Sequence, residues 1–294
     1  MVGILSDRSE AAIRPPTPDP RASATHSPQN LIRYAWPMHT NTYDAIVFDV
    51  LDTIYPWGPD KYSRGLDALC ETVASRRPPA TVQEVKARYI EIRTAYSAHY
   101  LTRLEENNFP EYVLEMVRAF GGDDCEDVAA DAVAAYNTAF ASVLELPEGV
   151  GEMFQVLSER YQLGILSNYP TSGGIRQALT RDGLTPLMRS IVVSAEIGYI
   201  KPHPIMFETI CSELGCNPDR VLVVGDTWES DIVGAHLSGM PSVRIRPSAA
   251  GVEQGQFFNG HIRRWLDNQP DADWKNAKPL AEFDRLTELE PWLS

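Results

Sequence analysis

The sequence predicts an α/β fold, a doubly wound parallel sheet with a helical cap domain, and three observations predict it. Short apolar runs recur as "AIVFDV" (45–50), "YQLGILSN" (161–168), "SIVVSAE" (190–196), "RVLVVGD" (220–226) and "PSVRIR" (241–246). Helical patterns such as "GVGEMFQVLSER", "IMFETICSELG" and "SDIVGAHLSG" lie between them, and strand alternating with helix at this spacing implies a parallel sheet. Between 58 and 145 that rhythm stops, and helix-like stretches follow one another with no strand signal.

Taken in order, residues 1–42 contain "RPPTPDPRASATHSPQN", rich in Pro, Ser and Ala and without an apolar period. A segment of this kind buries too little surface to offset its ordering entropy, so it is expected to be a disordered N-terminal extension. Met38 stands just ahead of the first strand, which makes residues 1–37 a candidate upstream extension of the reading frame. The run 45–50 is too short for a helix and suits a strand covered on both faces. "TVQEVKARYIEIRTAYSAHYLTRLEE", "EYVLEMVRAFGG" and "CEDVAADAVAAYNTAFASV" follow as helix-like stretches, so 58–145 reads as a cap and 43–57 with 146–294 as the core. An insertion directly after the first strand lies over the carboxyl ends of the strands, where open α/β sheets bind ligands. The polar stretch 249–276 follows the last strand signal and has no assigned role.

Composition narrows the partners. The 294 residues, 44% of them hydrophobic, suffice for a large core, and a formal charge of -14 disfavours nucleic acid and anionic lipid surfaces. No apolar run approaches the roughly 20 residues of a membrane span, and no signal peptide is evident. Cys70, Cys125, Cys211 and Cys216 lack metal or disulfide spacing and read as reduced thiols, so a cytoplasmic location is expected. The six histidines form no zinc pattern. His203 reads as a satisfied loop histidine, and Tyr96, Tyr100 and Tyr112 read as packing.

The chemistry gathers where strands end. Asp49 closes the first run, Ser167 and Asn168 the second, Lys201 follows the third in "GYIKPHPIMF", and Asp226 closes the fourth with Asp231 beyond it. In a parallel sheet these ends share one edge, and the set reads as a phosphoryl site. Carboxylates and main-chain oxygens suit Mg2+, Lys201 offsets the negative charge, and Thr53 and Ser167 can donate to phosphoryl oxygens. Asp49 could then attack phosphorus to form an acyl phosphate.

Four motifs in order, "FDVLDT", "LGILSN", "IGYIKPHPIMF" and "VVGDTWESDIVGAHLSGM", resemble the haloacid dehalogenase-like (HAD) hydrolase superfamily, members with a helical cap after the first motif and a Rossmann-like core. The resemblance implies Asp49 as nucleophile, Thr53 and Ser167 as phosphoryl ligands, Asn168 beside them in substrate binding, and Lys201 as charge clamp. It implies Mg2+ held by Asp49, the Leu51 carbonyl, Asp226 and Asp231. The substrate would be a small phosphorylated metabolite.

Leu51 departs from the pattern D-x-D-x-T, whose second Asp protonates the leaving group and then activates water. Losing a general acid/base costs on the order of 10²- to 10⁴-fold for a poor leaving group. Dehalogenases of the family expel halide and need no such proton, and phosphonatases activate substrate with a cap lysine; both are alternatives. A protein that binds a phosphorylated ligand or partner without turnover is a third. "GDTWESD" keeps the acidic pair expected of a Mg2+ site, whereas the dehalogenases carry a Ser/Asn segment and use no metal. Substrate identity and oligomeric state stay open.

Overall fold

The computed structural model describes residues 43–100, 102–247, 260–269 and 272–294, so the expected disordered extension lies outside the described residues. Six parallel strands form one sheet in the order β3-β2-β1-β4-β5-β6. They are β1 (Ala45–Phe48), β2 (Gln162–Ser167), β3 (Met188–Val193), β4 (Val221–Gly225), β5 (Ser242–Ile245) and β6 (Glu282–Phe283). Every residue of β1 and β4 is buried, as central strands covered on both faces require. Side chains alternate across β1: Ile46 and Phe48 enter one apolar layer, Ala45 and Val47 the other.

Strand order reverses beside β1. β2 and β3 build outward on one side and β4, β5 and β6 on the other, so the carboxyl ends of β1 and β4 flank the crevice where such sheets bind ligands.

Four helices separate β1 from the rest of the core: α1 (Pro59–Arg76), α2 (Val82–Tyr100), α3 (Phe109–Arg118) and α4 (Cys125–Ser142). The first was not recognised in the sequence; Pro at its start and Gly65 inside it hide the period, yet Leu66, Leu69 and Val73 form its buried face. The core continues with α5 (Val150–Ser158), α6 (Ser172–Arg181), the short α7 (Ser194–Ile197), α8 (Pro204–Leu214) and α9 (Val233–Leu237). The inserted helices lean on the core through α4 and α6. Gly173 and Gly174 permit the approach, since a Cβ at Gly174 would lie 2.4 Å from the Phe140 ring and one at Gly173 2.5 Å from the Asn137 amide.

The stretch expected as polar insertion is ordered where described. Residues 260–267 are helical, and Ile262, Leu266 and Trp274 are buried. Among the described residues no helix is long and apolar enough to cross a membrane.

Candidate active site

Asp49 leaves β1 while its N–H still donates to Val224 O of β4 at 2.9 Å, which locks its backbone to the sheet edge. The chain then doubles back. Ile54 N–H and Tyr55 N–H both donate to Val50 O at 2.9 and 3.0 Å, and Asp52, at φ 57, donates to Tyr55 O at 2.8 Å and accepts from Trp57 N–H at 2.9 Å. This tight turn returns the Thr53 hydroxyl to Asp49 Oδ2 at 3.2 Å. Leu51, inside the turn, packs its side chain against the apolar core. Asp52 was not singled out in the sequence, although Asp tolerates the left-handed backbone better than most residues.

Lys201 sits at the centre and is 2% exposed. Its ammonium donates to Asp49 Oδ1, Asp231 Oδ1 and Leu166 O, each at 2.7 Å. Three hydrogens meet three acceptors. The Asn168 amide holds the Lys201 backbone from both ends, accepting from its N–H at 2.6 Å and donating to its carbonyl at 3.0 Å. Asn168, expected at the substrate, thus makes its two side-chain hydrogen bonds to Lys201. Ser167, 1% exposed, ends β2 one step past Leu166. His203, expected as a loop histidine, caps α8 by accepting from Ile205 N–H at 3.3 Å and stacks on Tyr199.

Asp226 follows β4, and Asp231 lies in a π-helical turn, Trp228–Ile232. Asp231 Oδ2 accepts from Thr227 N–H at 3.0 Å, and Thr227 Oγ1 donates to Asp226 Oδ1 at 3.3 Å. The Asp231 side chain fits only because residue 225 is glycine: a Cβ there would lie 2.3 Å from Asp231 Cγ. Arg244 Nε donates to Asp226 O at 3.0 Å and its guanidinium lies over the Trp228 ring.

Asp49, Asp226 and Asp231 each bring a carboxylate oxygen within 4.8 Å of the others. Burial raises the Asp226 pKa well above the usual range, and the Asp49 and Asp231 charges raise it further. Burial likewise pushes Asp231 up to about 6 although Lys201 pulls it down. Burial opposes the Lys201 charge, but Asp231 and Asp49 outweigh it and raise its pKa. Three carboxyls thus crowd round one ammonium, and burial with this crowding makes Asp226 and Asp231 hold protons more readily than free carboxylates do. Of the residues singled out in the sequence, Asp49, Thr53, Lys201 and Asp231 are joined by hydrogen bonds and Asp226 stands within the same carboxylate group. The Leu166 carbonyl, the Thr227 N–H and Gly225 complete the arrangement and carry no side-chain chemistry by which a motif search would find them.

Fold and site together define a Rossmann-like α/β protein with a cluster of carboxylates and one buried lysine at the carboxyl edge of its sheet. The family model described as haloacid dehalogenase-like hydrolase matches residues 86–245. The chain is 30% identical over 248 residues to a glyceraldehyde 3-phosphate phosphatase of Methanopyrus kandleri, spanning 82% of this chain and 97% of that one. A protein of the same name from Methanothermobacter thermautotrophicus is 27% identical over 213 residues, 71% of this chain and 88% of the other. Among solved structures, 2-haloacid dehalogenase from Pseudomonas syringae pv. Tomato shares the fold with a TM-score of 0.64 at 18% identity, covering 85% of this chain and 98% of that one. The chain belongs to the haloacid dehalogenase-like hydrolases.

Proposed function

We propose that the protein is a Mg2+-dependent phosphohydrolase of a small phosphorylated metabolite, acting in the cytoplasm through an aspartyl-phosphate intermediate. The observation that carries the reading is the convergence of Asp49, Asp226 and Asp231 on one point at the sheet edge, with Lys201 as their shared cation. The donor set fits the metal: hard carboxylate oxygens, in surplus over nearby positive charge, are what Mg2+ prefers. Asp49, Asp226 and the Leu51 carbonyl would hold the ion, with Asp231 beside them. When bound it would draw charge from phosphoryl oxygens and reduce repulsion between a phosphate dianion and the carboxylates.

The chain's own groups do the rest. Lys201 holds Asp49 Oδ1 in place for attack, so a bond forms from an Asp49 carboxylate oxygen to phosphorus while the bond from phosphorus to the leaving oxygen breaks. Thr53 and Ser167 donate to the phosphoryl oxygens, and water later releases phosphate from Asp49. Leu51 carries no proton, so leaving groups that depart as stable anions are favoured. Residues 58–145 serve as the cap over the core formed by 43–57 and 146–294, and substrate choice belongs to that cap. The two glyceraldehyde 3-phosphate phosphatase relatives support a short phosphate ester as substrate.

Leu51, packed into the core instead of offering a carboxyl, favours a second reading in which the leaving group is halide or a phosphonate carbanion. A panel of phosphomonoesters, 2-haloacids and phosphonates with and without Mg2+ separates the readings. Turnover of phosphomonoesters that EDTA abolishes is the expected result. Metal-independent turnover of 2-haloacids, or Mg2+ binding without turnover of any class, would overturn it.

A further inference from the structure

The turn between α2 and α3, residues 102–108, reaches from the inserted helices to the core edge. Leu104, wholly buried at φ 56, enters an apolar socket made by Ile200, Val233, Ile262, Leu266 and Trp274. A leucine in left-handed backbone is held there only by what surrounds it. On either side of this plug the main chain pairs with the segment leading to Lys201: Ile200 N–H donates to Leu104 O at 2.8 Å and Glu106 N–H to Gly198 O at 2.9 Å.

Glu106 extends the contact toward the loop that follows β2, residues 168–171. Its carboxylate accepts from the Ser194 hydroxyl at 2.5 Å and from Asn107 N–H at 2.8 Å. Ser194 Oγ in turn accepts from Tyr169 N–H at 2.8 Å, directly after Ser167 and Asn168. The turn and the two loops leave a crevice of about 420 Å³, lined by Glu106, Phe109, Thr171, Ser172 and Glu196 among others.

We propose that this turn is a latch: docking of Leu104 and the Glu106–Ser194–Tyr169 hydrogen-bond chain set Lys201 and the Ser167–Asn168 loop in place together, and undocking loosens both. Leu104 and Glu106 are then positioning residues for phosphoryl transfer, and that clause rests on the phosphohydrolase reading above. The geometry explains why two separate core loops would respond as one. Ile200 precedes Lys201, Tyr169 follows Asn168, and Asn168 already holds the Lys201 backbone, so the three contacts close a ring through the turn.

Hydrogen exchange by mass spectrometry on the full chain tests the latch without any substrate. Leu104→Ala should raise exchange at least tenfold in segments 104–106, 167–169 and 198–201 together, while β5 stays protected. Ser194→Ala removes one hydroxyl and should raise exchange in 104–106 and 167–169; it carries the test should Leu104→Ala fail to fold. On p-nitrophenyl phosphate with Mg2+, kcat in Glu106→Ala should fall tenfold or more with KM within about twofold. Glu106→Gln, which keeps an acceptor for Ser194, should recover most of that loss. Increased exchange confined to 104–106, or spread evenly over the chain, would overturn the latch. Wild type without phosphatase activity would remove the phosphohydrolase reading, while the exchange pattern would still decide whether the turn couples the two loops.

Discussion

Gly225→Ala places a methyl group where the Asp231 carboxyl now sits. The added Cβ would stand 2.3 Å from Asp231 Cγ, 2.4 Å from Oδ2 and 2.5 Å from Cβ, whereas ordinary contact begins at 3.4 Å. Asp231 must therefore withdraw by 3.4 − 2.3 = 1.1 Å or the end of β4 must bend. A shift of that size breaks the bonds of Asp231 to Lys201 at 2.7 Å and to Thr227 N–H at 3.0 Å. One charged hydrogen bond contributes about 1.5–3 kcal/mol and overpacking costs about 1–3 kcal/mol, so the Lys201 bond and the overpacking alone predict a loss of roughly 2.5–6 kcal/mol. For a chain of this size that lowers Tm by roughly 5–24 °C. The variant should also lose most of the rise in Tm that Mg2+ gives the wild type, because one of three converging carboxylates has moved. Thermal unfolding with and without Mg2+ measures both. Gly164→Ala is the control, since its Cβ would meet side-chain methyls of Ile210, Val47 and Leu214 at 3.2, 3.4 and 3.5 Å. A Gly225→Ala protein with wild-type Tm and an undiminished Mg2+ response would refute the reasoning.

Leu51→Asp should raise turnover of alkyl phosphates about tenfold or more, equivalent to roughly 1.4 kcal/mol in barrier, and that of aryl phosphates far less; steady-state kinetics on both esters decides it. Lys201→Met leaves Asp49 and Asp231 buried without their cation, and a loss of about 3–5 kcal/mol should appear in denaturant unfolding at low Mg2+; a change below about 0.5 kcal/mol would contradict the clamp. The pH dependence follows from sign. Asp231 binds its proton more tightly folded, with a pKa near 6, than unfolded, near 3.8, so metal-free stability should fall as pH rises through that window. Mg2+ must displace that proton, so the Tm increment from Mg2+ should grow from pH 5 to pH 7.5, and an increment that is flat with pH would argue against Asp231 at the metal.

Five of the six strands were legible because each carries an apolar run, complete in the wholly buried β1 and β4 and shorter in β3, where Ile191, Val192 and Val193 carry it. β6 has two residues, neither of them buried, and so leaves none. The run 190–196 was read as strand throughout, but the strand stops at Val193 because Ser194 turns its hydroxyl to Glu106 and Tyr169. Asp49, Lys201, Asp226 and Asp231 were legible because ionisable residues at strand ends are few and their order is informative. Gly225, the Leu166 carbonyl and the Leu104 plug were not, since their part is set by neighbours distant in sequence. The amphipathic spacing of Ile262 and Leu266 was present in the stretch read only as a polar insertion, where Asn, Asp and Gln residues obscured it.

The Lys201 ammonium also decides which residue can stand at its position. An ammonium offers three hydrogens arranged as a tripod, and its acceptors belong to three different elements: the end of β1, the end of β2 and the turn after β4. A guanidinium is flat, so its donors lie in one plane and cannot reach three acceptors set around an apex. Arginine, equal in charge, would satisfy the electrostatics and fail the shape. The same tripod is fully committed: with every hydrogen engaged, the ammonium can reach an incoming anionic oxygen only by letting one present partner go, and the partner released determines whether Asp49 or Asp231 is set free to move.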